Sequence, residues 1–93
     1  MAVEITHVHY EGTTRTHESI SSYKWKNLEN GNTDFSSKAT MVDWIDNKRG
    51  IAYVGSGASR VDVATVHPDM GLPYLRTHAD GFYNNNLLSL PTF

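Results

Sequence analysis

One segment, Ser36 to Gly50, constrains what the rest of the chain can be. Its apolar residues recur at helical spacing. Met41, Val42 and Ile45 fall on one face, with Ala39 or Trp44 at its margin. Ser36 or Ser37 stands where a short hydroxyl can accept from the unpaired amides of a first turn. Lys48 and Arg49 suit the negative end of the helix dipole. Gly50 is placed for the left-handed residue that closes many helices. A helix with a single apolar face must lie against something, and the other apolar segments are short and strand-like.

Residues 3–10 are rich in β-branched and aromatic types and read as a first strand. Glu11 to Thr14 is a turn. In residues 19–26, Tyr23 and Trp25 share one face and Lys24 and Lys26 the other, which predicts a second strand in an antiparallel hairpin. Residues 27–37 carry Asn27, Asn30, Gly31, Asn32 and Asp34 and read as a loop, with a tight turn at Asn30-Gly31. After the helix, residues 51–54 and 60–66 read as a hairpin across the loop 55–59, with Val61 and Val63 on one face. Tyr74 to Thr77 is a further strand, and Asp80-Gly81 is a hairpin-type turn leading to Phe82 and Tyr83. Leu87, Leu88 and Leu90 should dock into the core, and Pro91 should end regular pairing. The expectation is a single α+β domain over residues 1–93: an antiparallel sheet of about five strands with one helix packed on one face.

Composition narrows the function classes. The chain has no cysteine, so it has neither a disulfide framework nor a thiolate metal site, and this fits a reducing cytoplasm. The N-terminus lacks the basic and apolar regions of a signal peptide. No apolar run approaches the roughly 20 residues of a membrane span. The formal charge is -2, and the eight basic residues are scattered. Double-stranded nucleic acid usually meets a basic face, so that partner is not expected, and single-stranded nucleic acid is a minor option. The balance favours a small polar ligand or another protein.

The densest chemistry lies in residues 73–91. Arg76, His78 and Asp80 alternate along one extended segment and would share a strand face. Arginine offers a planar fork for phosphate, and aspartate can accept from a sugar hydroxyl or a base amine. The plain alternative is a surface Arg–Asp pair of little weight, with Asp80 making the turn. Asn84, Asn85 and Asn86 can read polar edges, or can simply supply turn conformations. Tyr74, Phe82, Tyr83, Trp25 and Tyr53 can stack on a base, although rings more often build cores. Arg60 is a second candidate for phosphate. The loop 55–59 lacks the features of a P-loop and reads as a hairpin connection, the alternative being an anion nest built from its amides. His7 and His9, two apart on a strand, can supply two metal ligands with His78 or Asp80 completing a site; the bland reading is the exposed face of an edge strand. No serine or carboxylate pair stands in a catalytic pattern, so neither a catalytic residue nor a cofactor is expected.

The run Pro73-Tyr74-Leu75-Arg76-Thr77-His78-Ala79-Asp80, with Asn85-Asn86-Leu87-Leu88-Ser89-Leu90-Pro91, resembles the C-terminal signature of a family of small bacterial and phage proteins of unknown function. The resemblance extends to Ile5-Thr6-His7-Val8, Lys24-Trp25, Met41-Val42-Asp43-Trp44-Ile45 and Arg60-Val61-Asp62-Val63. It implies a standalone domain of about this size, with no assigned reaction or cofactor. It places Arg60, Arg76, Thr77, Asp80 and the asparagines at matching positions.

The leading expectation is a non-enzymatic domain for a small nucleotide-like ligand. Arg76 and Arg60 would take phosphate, Asp80 and Asn84–Asn86 would take sugar or base edges, and Tyr83 or Tyr74 would stack. Self-association is expected on this reading, because one small core offers little concave volume. The alternatives are a protein-interaction module, such as an inhibitor of a host enzyme, and a metal-dependent or His/Asp hydrolase. The helix face gives a direct test. Met41→Ala should cost about 2–5 kcal/mol in chemical denaturation, and a loss well under about 1 kcal/mol would place Met41 off the core.

Overall fold

The computed structural model describes residues 2–55, 60–79, 82–84 and 86–93. β1 (Ala2–Tyr10) and β2 (Ile20–Asn27) form the expected antiparallel hairpin. β3 (Thr33–Ser37) joins the far edge of β2 and runs directly into α1 (Lys38–Asn47). β4 (Ile51–Val54), β5 (Val61–Val66), β6 (Tyr74–Ala79) and β7 (Phe82–Asn84) follow, and a 3-10 turn spans Asn86–Ser89. Among the described residues, seven strands make one sheet in the order β3-β2-β1-β4-β5-β6-β7. The fold is α+β with one helix against a sheet. The sheet is mixed, not antiparallel, and it has more than about five strands.

Both corrections have physical causes. The side chains of β3 are exposed except for a half-covered Ser36, so no apolar alternation reveals the strand. An edge strand needs only one partner. The Asp34 carboxylate accepts the Phe35 N–H at 2.8 Å, which occupies a donor of that strand. The parallel pair is β1 with β4, in register Ala2↔Ile51, Val3↔Ala52 and Glu4↔Tyr53. Between these strands the chain passes through β2, β3 and α1, and such a crossover brings it back to β1 in the same direction.

β1 organises the sheet. Val3, Ile5 and Val8 are all buried, although a strict alternation would separate them. A register shift between Ile5 and His7 inserts the extra residue that keeps Val8 on the core face. β4 pairs only with residues 2–4 of β1. Further along, the Val8 N–H donates to the Pro91 carbonyl at 3.0 Å, and the Phe93 N–H donates to the Val8 carbonyl at 3.2 Å. Pairing therefore does not end at Pro91. A proline lacks a donor but still offers a carbonyl.

Ser37 caps α1, its hydroxyl accepting from the Thr40 N–H at 3.2 Å. Met41 and Val42 are buried, and Ile45 is partly buried, as the stripe predicts. The C-terminus differs from expectation. Arg49, not Gly50, takes the left-handed conformation, with φ 57°. Gly50 serves a close approach instead. A Cβ there would stand 2.2 Å from Cδ2 of Trp44, so only glycine lets this backbone lie on the indole.

Tyr23, Ile5, Ile20, Leu75 and Leu87 are fully buried, and α1 packs on β2, β3, β5 and β6. The Tyr23 hydroxyl lies beside the Leu75 backbone. Four strand spacings separate β2 from β6 in the sheet order, roughly 19 Å if the sheet were flat. A tyrosine cannot reach that far, so the sheet curls and brings β6 back toward β2.

Candidate ligand site

The residues singled out in sequence do not gather in one place. Tyr74, Arg76 and His78 lie on β6, with Arg76 opposite Ala64 and His78 opposite both Asp62 and Tyr83. Arg60 precedes β5 and packs its guanidinium over the Tyr53 ring, 4.2 Å from the centroid. Its Cα lies four residues before Ala64, about 13 Å along an extended chain. Arg60 and Arg76 therefore serve different ends of the strand pair. Tyr83 and Asn84 are on β7, and Asn86 opens the 3-10 turn. Asp80 and Asn85 lie outside the described residues. The backbone alone is described for His78, Tyr83, Asn84 and Asn86.

What the fold does assemble is a group around Tyr74 and Arg76. The β1–β2 connection carries His17 onto β6, where its ring stacks on Tyr74 at 6.3 Å between centroids. His17 is only 6% exposed, and its Nε2 has no hydrogen-bond partner. Burial lowers its pKa from 6.5, the nearby Arg76 charge lowers it further, and Glu18 opposes both weakly. Both effects favour the neutral form of His17. The hydroxyls of Tyr10 and Tyr23 are also buried without partners. Burial is the main cause that pushes the Tyr23 phenol far above its ordinary pKa; the adjacent Leu75 backbone partly offsets it without forming a well-aligned hydrogen bond. Buried polar atoms are usually satisfied, and each one left over costs about 1–3 kcal/mol. Two of these groups stand beside β6, His17 against Tyr74 and the Tyr23 hydroxyl against the Leu75 backbone.

Tyr74 also lines a cleft of about 380 Å³ with Glu18, Lys38, Met70 and Leu72. The loop between β5 and β6 makes one wall. It bends at Gly71, whose φ of +101° disfavours any other residue. Met70 and Leu72 beside the bend are 90% and 77% exposed. The first turn of α1 makes the other wall. Lys38 reaches across it, its ammonium donating to the Glu18 carbonyl at 2.7 Å. The loop is pinned at its start, where the Asp46 carboxylate takes Thr65 Oγ1 at 2.6 Å and His67 Nε2 at 2.8 Å. The Thr65 hydroxyl points at the carboxylate rather than at the imidazole, so this group is a fastening and not a nucleophile with its base.

His7 and His9 have a different neighbour from the one their spacing suggests. β1 is an interior strand, not an edge. His9 Nδ1 donates to the Phe93 carbonyl at 2.7 Å. The Phe93 ring lies 6.5 Å from His7 and 5.9 Å from His9. Among the described residues no group of three metal-ligating side chains stands together. No described helix is long and apolar enough to cross a membrane.

The sequence reading missed His17, Lys38, Met70 and Leu72. The last two carried a signal, since two large apolar residues flanking a glycine inside a loop have no strand or helix to bury them. His17 carried none, because its burial depends on the curl of the sheet.

The family model "Protein of unknown function (DUF3892)" matches residues 4–91, and the chain belongs to that family. No curated protein matches it, and no solved structure does.

The His17 environment fixes a pH dependence. The folded pKa lies below the unfolded value of 6.5, so the unfolded chain binds more protons between the two. The stabilisation is complete above pH 6.5 and is lost as pH falls through the folded pKa, with a slope of at most about 1.4 kcal/mol per pH unit. Urea midpoints should fall between about pH 7 and about pH 5.5, and the fall should shrink in His17→Gln. An equal fall in both proteins would show that His17 is not held neutral.

Proposed function

We propose that the protein is a non-enzymatic binding domain for a small phosphate-bearing, nucleotide-like molecule seated in the Tyr74 cleft. The observation that carries this reading is the placing of an aromatic ring and a cation on facing walls of one concavity. Tyr74, braced by His17, offers a ring face for a base. Lys38 brings an ammonium to the N-terminal end of α1, where the dipole also favours an anion. Met70 and Leu72 supply apolar walls. A volume of about 380 Å³ falls in the range of small-molecule sites. Arg76 acts on the neighbouring His17 through its charge, and Arg60, packed on Tyr53, stands apart. The role we assign is sequestration in the cytoplasm of a bacterium or during phage infection, with the ligand held and not turned over.

A second reading has its own support. Met70 and Leu72 are too exposed for residues that serve the fold alone, and they fit a protein partner. Capture of one stoichiometric protein, with no affinity for nucleotides, would favour it.

The test is calorimetric titration of the untagged protein with nucleoside mono-, di- and triphosphates and with cyclic dinucleotides. One class should bind. Lys38→Ala and Tyr74→Ala should each weaken it about tenfold or more, while Arg60→Ala leaves it unchanged. No binding by any class, or binding indifferent to both substitutions, would end the proposal.

A further inference from the structure

We infer a second ligand site, on the other flank of α1, that takes a single aromatic ring bearing one hydrogen-bonding substituent. It does not rest on the reading above. Thr40, Trp44 and Lys48 lie along its edge, and none of them lines the Tyr74 cleft. There Trp25 and Trp44 flank a cavity of about 170 Å³. Val3 and Met41, both buried, also line it, and Asp43 and Lys48, both exposed, place its mouth at solvent.

Two apolar rings beside a void should collapse into it, because protein interiors leave few gaps larger than a water and an unfilled gap forfeits dispersion contacts. Each indole is held back by its own restraint. Trp25 Nε1 donates to Ser36 Oγ at 3.1 Å, which ties that ring toward β3. Trp44 is backed by Gly50. A Cβ at Gly50 would stand 2.2 to 2.4 Å from Cδ2, Cε3 and Cε2 together, an approach possible only onto the ring face. One face of Trp44 is thus covered by backbone, and the same ring lines the cavity. The restraints are independent, and both keep the slot open.

Size and lining define the occupant. Its volume is close to the about 150 Å³ that accepts a benzene ring, so it suits a single six-membered ring and not a fused pair. Indole walls favour an aromatic guest through stacked or edge contacts. Ser36, Thr40, Asp43 and Lys48 also line the slot, so a guest needs a polar group for them as well as a ring for the indoles. At the mouth, Asp43 accepts and Lys48 donates. One Asp43 oxygen, Oδ1, takes the Asn47 amide at 2.7 Å, leaving the other for a ligand. A phenol-type hydroxyl, which donates and accepts at once, matches this rim.

The chain has two tryptophans, and both line the slot, so their indole N–H resonances report on it alone. The protein is titrated with phenol, and with cyclohexanol as a non-aromatic match, in a proton–nitrogen correlation experiment. Phenol should shift both resonances saturably, with a dissociation constant on the order of 1 mM, and cyclohexanol should bind about tenfold more weakly. Gly50→Ala displaces the Trp44 ring from its place in the slot wall and should abolish the phenol response. Ser36→Ala frees Trp25 without touching Gly50 and should weaken the response severalfold, which keeps the test decisive if Gly50→Ala does not fold. Non-saturating shifts, equal binding of both alcohols, or an undiminished response in Ser36→Ala would overturn the assignment.

Discussion

The structure depends on how β1 shares its edges. One edge is given whole to β2. The other is divided: β4 takes residues 2–4 in parallel, and the segment Pro91–Phe93 takes Val8. The register shift after Ile5 makes the division workable, because it lets Val3, Ile5 and Val8 all face the core while the strand changes partner. With β4 diverging after Glu4, the strands beyond it are free to curl around α1. That curl brings Leu75 to Tyr23, and the β1–β2 connection onto β6. The buried position of His17 and the stacking on Tyr74 follow from it.

The helix divides the chemistry into two flanks. On one, the loop before β6 leans toward Lys38 and leaves a mixed polar and apolar cleft against Tyr74. On the other, two indoles stand apart over Val3 and Met41. Asp43 lies near the crest between them, lining the slot and also the helix-side cavity that holds Leu72 and Lys38. What the two flanks share, among the described residues, is aromatic side chains with one or two charged residues in the same lining.

Much of the fold was legible because local rules agreed with it. The α1 stripe, its serine cap, the β1–β2 hairpin and the buried Leu87 were all written in periodicity and composition. The failures have particular reasons. β3 has no apolar face to alternate, so Thr33–Ser37 looked like loop. The β1–β4 pairing is non-local, and nothing in either segment states its direction. Gly50 was read as a conformational residue when its role is contact with Trp44. The site was half legible. Tyr74 and Arg76 stood out by type, but their partners His17 and Lys38 come from other elements and meet them only through the curl. Arg60 looked equivalent to Arg76 in sequence and is paired elsewhere in space.

The most direct test of this account is the hydrogen-exchange rate of the Val8 amide. If the segment Pro91–Phe93 closes the second half of β1, that amide is bonded to the Pro91 carbonyl at 3.0 Å and should exchange as slowly as the amides of the β1–β2 ladder. The Phe93 amide, bonded to the Val8 carbonyl, should also be slowed. A Val8 amide that exchanges as fast as the exposed turn at Gly12 would mean that β1 has an open edge there. The curl of the sheet, and the two flanks built on it, would then need another cause.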